Sequence, residues 1–233
     1  MKINKTTTLL LALGMAAAIQ TAQASLSTSD TLADLAAGGS IGIGDKVFTG
    51  FSYNASTTVV NSGFNAGNII VTASIGTDGV YYLTWGGGMS LSSVAGLNGD
   101  LLLNYVVTAN AGMINMIDQS YAGTTQNGSV GITETVATGA FGGPILATSQ
   151  LTTTLNSQTV GPNLNVNPAQ STLYVTKDIA FVLYGQGFDN VSQVSQSFHQ
   201  TAVPEPSTVV AGALLLLPFG VSTLRILRKS KVS

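Results

Sequence analysis

One histidine, ten carboxylates and no cysteine bound the chemistry this 233-residue chain can carry. Without thiols, cysteine nucleophiles, thiolate zinc sites and disulfide-linked oligomers are excluded. Gly38-Gly39-Ser40-Ile41-Gly42 matches G-x-S-x-G, the pattern of a serine held on a strand-to-helix elbow. Its flanks are wrong for that role: a Leu/Ala turn precedes it, and an alternating run (Ile41, Ile43, Val47) follows. His199, the only histidine, lies far along the chain. Gly42 and Gly44 begin a dinucleotide-type glycine pattern, but position 47 is valine. The chain is therefore expected not to be an enzyme, with no catalytic residue, no bound cofactor and no metal of catalysis.

Glycan chemistry uses paired carboxylates, and the body carries several candidates. Glu134 sits between Thr133 and Thr135 in an alternating run and could face solvent or a groove. Asp118, Asp178 and Asp189 fall near the ends of strand-like runs, and no spacing brings two of them together. Solvated turn and edge positions are the expectation for all of these acids. Asn98-Gly99-Asp100, or Asp178 with Asp189, would be the places for a structural calcium ion, although no twelve-residue calcium loop is present. Among the aromatics, Tyr81 and Trp85 would share one face of a strand, with Tyr82 on the other. Tyr81 and Trp85 could stack a sugar ring; packing in a core is the favoured role. Tyr174, Phe181 and Tyr184 read as packing residues.

The elements that position these residues read as all-β. Period-two alternation recurs around Val71, Ala73 and Ile75; Leu101, Leu103, Tyr105 and Val107; Val130, Ile132 and Val136; and Ile179, Phe181 and Leu183. Turn signals separate the runs: Thr77-Asp78-Gly79, Gly86-Gly87-Gly88, Asn98-Gly99-Asp100, Asn127-Gly128 and Gly142-Gly143-Pro144. A spacing of roughly ten residues per strand predicts a single antiparallel β-sandwich or jelly-roll-like domain. Helix is expected only at the ends, as one short turn over Thr31 to Ala37. The segment 161–170, with two prolines and three asparagines, reads as a loop, and 148–159 is ambiguous between strand and loop.

Both ends carry targeting signals. Lys2 and Lys5 precede an eleven-residue apolar run, Leu9 to Ile19, and Ala22-Gln23-Ala24 is an A-x-A site. Residues 1–24 are thus expected to be a signal peptide cleaved before Ser25. At the other end, Val209 to Leu224 is a sixteen-residue uncharged run, followed by Arg225, Arg228, Lys229 and Lys231. A helix over about 208–224 would rise about 26 Å, near the thickness of a bilayer core. The basic end, 225–231, would stay in the cytoplasm and stop transfer. The intervening body, 25–203, holds nine acids against Lys46 and Lys177, a net charge of −7, although the whole chain carries only −2. Such a body should repel nucleic acid and suits neutral glycans, cations or another protein.

The tail 204–233, with Pro204, Glu205, Pro206 and Ser207 before the span, resembles the PEP-CTERM sorting signal of exopolysaccharide-producing Gram-negative bacteria. Two stretches of the body resemble an uncharacterised subgroup of PEP-CTERM proteins: Leu32 to Phe48 (LADLAAGGSIGIGDKVF), and Val175 to Ile179 followed by Val194 to Gln200. The resemblance implies signal peptidase and exosortase as processing enzymes. It also implies a transient membrane anchor, and a mature form at the cell surface or in the extracellular matrix. A structural or adhesive component of the exopolysaccharide or biofilm matrix is the leading functional reading. The alternative is a glycan- or ice-binding β-module, since similar tails occur on some ice-binding proteins. A polysaccharide-acting enzyme is the third.

Overall fold

The computed structural model of the chain describes residues 26–153, 157–160 and 163–201. The expected signal cleavage at Ala22, Ala24 and Ser25 lies outside them, as do the motif Pro204–Ser207, the apolar span, and Arg225, Arg228 and Lys229. Among the described residues no helix is long and apolar enough to cross a membrane.

Eleven strands form one antiparallel sheet: β1 (Ser29–Thr31), β2 (Ile41–Ile43), β3 (Lys46–Ala55), β4 (Ile70–Ile75), β5 (Tyr81–Ser93), β6 (Leu97–Ala109), β7 (Met113–Ala137), β8 (Ile145–Thr153), β9 (Ser157–Val160), β10 (Leu164–Gln170) and β11 (Thr172–Thr201). The all-β reading is right, but the ten-residue spacing does not hold. β7 and β11 run 25 and 30 residues, against a usual strand of about 3–10. They pair with each other along most of their length, with a break between Leu183 and Phe188. Before the break, β11 lies between β6 and the second half of β7; after it, between β5 and the first half of β7. The sheet is thus creased into two leaves that share their two central strands. One leaf adds β5, β4 and β1 on one side and β9 and β10 on the other. The second adds β6, β3 and β2, and β8.

Local chemistry sets the crease. Asn127 adopts φ 56°, which asparagine tolerates better than most residues, and its Nδ2 donates to the Gln186 carbonyl at 3.3 Å. A Cβ on Gly187 would stand 2.0 Å from the Gln126 carbonyl oxygen, so only glycine lets the strands approach so closely there.

Inner faces of the two leaves meet over a buried aromatic cluster. Trp85 of β5 and Tyr105 of β6 have ring centroids 5.2 Å apart, and Phe48 of β3 lies 5.4 Å from Phe198 of β11. Leu101, Leu103, Val130, Ile132, Ile179 and Phe181 supply the alternating apolar positions, as their spacing predicts.

Several turn signals fall inside strands. Gly86-Gly87-Gly88 is a bulge within β5, opposite the register shift between Val191 and Gln193. Gly87, at φ 130°, leaves room for the Asn68 carbonyl, which a Cβ would meet at 2.6 Å. Asn98-Gly99-Asp100 belongs to β6, where Gly99 makes space for Val59 of a helix the sequence did not signal. That helix, α2 (Thr57–Asn61), follows α1 (Leu32–Ala36), whose start Thr31 caps by accepting from the Asp34 N–H at 3.1 Å. The 161–170 segment also departs from expectation. From Leu164 it is a strand, because Leu164 and Val166 alternate into the core and the backbone pairs with Met116 and Ile117. Pro168 is accommodated where that register shifts. Most of 148–159 likewise joins the sheet, as β8 and β9 along β7.

Candidate functional site

The carboxylates separate into three environments, and two are not the solvated positions expected. Glu134 and Lys177 stand directly opposite each other on β7 and β11, wholly buried and ion-paired. Gln119 and Gln196, also directly opposed, face them from the other leaf. Lys177 Nζ donates to Gln119 Oε1 at 3.0 Å, Gln196 Nε2 donates to Glu134 Oε1 at 3.3 Å, and Gln119 Nε2 donates to Ser149 Oγ at 2.6 Å. Burial lowers the Lys177 pKa against the pull of Glu134. Burial, and then Glu134, push the Tyr105 hydroxyl well above its usual value. This network binds the leaves together but offers no path for a ligand. Asp189 is buried as well, at the crease.

Asp100 and Asp178 stay on the surface of the second leaf, where Asp100 is pushed up to about 6, by partial burial first and then by the Asp178 carboxyl beside it. Asp178 is exposed on the outer face and Asp189 enclosed on the inner, so the pair expected to hold calcium is not assembled. Among the described residues no group of three or more acids or histidines could hold a metal ion.

Trp85 takes the core position favoured for it. Trp85 is 0% exposed against Tyr105, and the Tyr81 ring lies under the buried Lys46 ammonium at 4.2 Å. Trp85 is thus closed to a sugar, whereas Tyr81 is half-buried and lines a cleft with Asp78, Phe198 and His199. Tyr82, which alternation sends to the other face, is likewise half-buried and lines a cleft of its own.

Around Tyr82 the first leaf builds a cleft. In β11, Ser195, Ser197 and His199 share the face opposite Gln196 and Phe198, with Ser197 buried beneath its neighbours and Ser195 and His199 half-buried. Register places Tyr82 of β5, Ser197 of β11 and Asp118 of β7 in one row, and Thr84, Ser195 and Ser120 in the next. Adjacent strands lie about 4.8 Å apart, so each row spans about 10 Å. Tyr82 Oη donates to Asp78 Oδ2 at 3.2 Å, and Asp78 Oδ1 accepts from the Val80 N–H at 3.0 Å, which anchors the ring to the β4–β5 turn. His199 Nε2 stands 3.1 Å from Asp118 Oδ2 and 3.4 Å from Ser197 Oγ, and Ser197 Oγ donates to the same Asp118 oxygen at 3.1 Å. A cleft of about 250 Å³ opens over Tyr82, Asp118, Ser195, Ser197 and His199; a second, of about 320 Å³, lies on the other side of His199 against Asp78 and Gln200.

Serine, histidine and aspartate together invite comparison with a catalytic triad, and the geometry rejects it. A triad needs one imidazole nitrogen on the serine and the other on the carboxylate. Here Nε2 faces both, and Ser197 bonds directly to Asp118. Ser40 of the G-x-S-x-G sequence sits between α1 and β2, with no strand before it. What the cleft offers is hydroxyl, carboxylate and imidazole groups beside a phenol ring. Sequence reasoning named Asp118 and His199 but did not join them; only the pairing of β11 with β7 does so.

On the outer face of the second leaf, Ser52, Asn104, Thr176, Thr135 and Thr148 form one polar row across five strands. Thr176 Oγ1 donates to Asn104 Oδ1 at 2.8 Å, and Asn104 Nδ2 to Ser52 Oγ at 3.2 Å. The next row, Asn54, Leu102, Asp178, Thr133 and Gln150, carries a charge and a leucine, so the threonine rung does not repeat.

No family model and no curated protein matches the chain. Among solved structures, the carbohydrate-binding module TmCBM61, in complex with β-1,4-galactotriose, aligns at 9% identity over 65% of this chain and 89% of its own, with a TM-score of 0.34. A structure of carbohydrate-binding modules of the β-sandwich superfamily aligns at 11% identity over 75% of this chain and 61% of its own, with a TM-score of 0.28. The family 11 carbohydrate-binding module of Clostridium thermocellum, in complex with a β-1,3-1,4-mixed-linked tetrasaccharide, aligns at 9% identity over 66% of this chain and 89% of its own, with a TM-score of 0.21.

Proposed function

We propose that this chain is an exported, non-catalytic protein whose folded body binds a neutral polysaccharide at the Tyr82–His199 cleft. The support is local and chemical. The observation that carries it is the row Tyr82–Ser197–Asp118 with His199 alongside, a set of side chains able to hold sugar hydroxyls next to an aromatic face. The net negative charge of the body disfavours an anionic glycan. With the Pro204-Glu205-Pro206 tail, the reading becomes a matrix component of an exopolysaccharide layer, delivered by signal peptidase and exosortase. Ice binding is less well supported, because the threonine rung on the second leaf is single and is followed by Asp178.

Binding to a panel of neutral glycans, measured with wild type, Tyr82→Ala and Asp118→Ala, tests the cleft. Loss of the ring should weaken binding about tenfold, from roughly 1–1.5 kcal/mol of aromatic contact. Absence of binding across the panel, or equal affinity in Tyr82→Ala, would sink the proposal. Sorting is tested separately, with one tag inside the body and one at the C-terminus in a host with exosortase. Processing should remove the second tag, and Pro204→Ala or Glu205→Ala should block that removal. Persistence of the doubly tagged form in wild type would overturn the sorting reading.

A further inference from the structure

The crease opens on the outer side of the sheet. Where the turn between β5 and β6 passes from one leaf to the other, a cleft of about 750 Å³ is lined by Ser92 and Ser93 of β5, Gln126 of β7, and Gln186 and Phe188 of β11. Register sets Ser92, Phe188 and Gln126 in one row, with the phenyl ring in the middle. Phe188 keeps 41% of its surface exposed, an apolar face among polar neighbours. Gln126 and Gln186 are exposed as well, and their side-chain amides make no hydrogen bond among the described residues. The backbone beneath is fixed: Asn127 Nδ2 donates to the Gln186 carbonyl, and Gly187 packs on the Gln126 carbonyl.

No residue lining this cleft is charged. An anion would find no cation there, and a metal ion no carboxylate. An aromatic face beside free amides and hydroxyls suits a neutral sugar. The ring takes the C–H face, and the amides both donate to and accept from its hydroxyls.

The cleft also shares a face with Tyr82. Leu83, Trp85, Met89 and Leu91 of β5 are buried, which leaves Tyr82, Thr84, Ser90 and Ser92 on the outer side. The rows Thr84–Ser195–Ser120 and Ser90–Asn190–Thr124 lie between the two clefts, again without charge. Ser197, beside Tyr82, and Phe188 are nine residues apart on β11, so the clefts are about 30 Å apart at roughly 3.3 Å per residue.

We propose that the crease cleft is a second subsite for a neutral sugar, with Phe188 as its stacking ring and the Gln126 and Gln186 amides as hydroxyl partners. The outer face of the first leaf then takes one extended polysaccharide strand along its length, from Tyr82 to Phe188. This rests on the reading of the Tyr82 cleft as a glycan site. Once one end of a long chain is held, the second contact is intramolecular, so affinity rises with chain length until both rings are covered.

The test is isothermal titration calorimetry with trisaccharide and octasaccharide fragments of four neutral glycans: a β-1,4-glucan, a β-1,4-galactan, a β-1,4-mannan and an α-1,6-glucan. In the series that binds, wild type should hold the octasaccharide about tenfold more tightly than the trisaccharide, which is too short to reach both rings. Phe188→Ala should weaken octasaccharide binding about fivefold. Gln126→Ala, at an exposed amide that the fold does not need, should weaken it about threefold. The inference is overturned if the two fragments bind wild type equally. It is also overturned if Phe188→Ala and Gln126→Ala both keep wild-type affinity while Tyr82→Ala loses it, a result that leaves the Tyr82 cleft standing. Loss in Phe188→Ala with none in Tyr82→Ala supports the crease site and refutes the Tyr82 cleft. Binding of no fragment overturns both.

Discussion

Removing the Lys177 ammonium should damage this protein more than removing the whole ion pair. Lys177 and Glu134 are both 0% exposed, and each also bonds an amide from the opposite leaf. Lys177→Met leaves a buried carboxylate whose remaining donor is Gln196, and Gln119 Oε1 loses its donor. The cost should be about 3–5 kcal/mol, and Glu134→Leu should cost about the same. In the double variant no charge stays behind. The remaining loss is the partners of Gln119 and Gln196, about 1–3 kcal/mol together, offset in part by apolar packing beside Trp85 and Tyr105. A coupling of roughly 3–9 kcal/mol should therefore appear in the cycle. Urea unfolding of the four proteins gives these differences directly, and Tm should fall by about 6–20 °C in either single variant. The reasoning is refuted if a single variant loses under 1 kcal/mol, or if the double variant loses the sum of the two.

Other outcomes follow from the same geometry. Asp189 and Asp100 both have folded pKa values near 6, above the ordinary aspartate value, so the folded state holds their protons more tightly than the unfolded chain does. Their contribution is complete below about pH 4 and is lost as pH rises to about 6.5; Asp189→Asn should flatten that slope in chemical unfolding at a series of pH values. Gly187→Ala drives a methyl group against the Gln126 carbonyl and should cost about 1–3 kcal/mol or more, read as a lowered urea midpoint. Trp85→Ala should cost about 3–5 kcal/mol in stability while any glycan affinity survives in the folded fraction, since the indole lies in the core and not in the cleft.

Alternation carried the strand positions and the inner faces of β4, β6, β7 and β11, because burial on one side of a strand imposes period two whatever the topology. It also sent Tyr82 away from Tyr81 and Trp85. Glycines misled, since Gly-Gly-Gly reads as a turn while its role at 86–88 is to let the Asn68 carbonyl approach a bulged strand. Glu134 and Lys177 are 43 residues apart, and no local rule foretells that they face each other in the dry interior. The cleft was legible only in pieces: His199 and Asp118 are 81 residues apart, and the register of β11 against β7 joins them.

β11 is both the last described strand and the middle of the sheet, flanked by β7 throughout and by β6 and β5 in turn. Until its thirty residues are in place, β5, β6 and β7 present long unpaired edges, and neither leaf is complete. A chain emerging from its N-terminus first would stay open until the end, then close in one late and highly non-local step. Slow folding, with a need for protection from edge-to-edge association beforehand, is the kinetic cost of placing the central strand last.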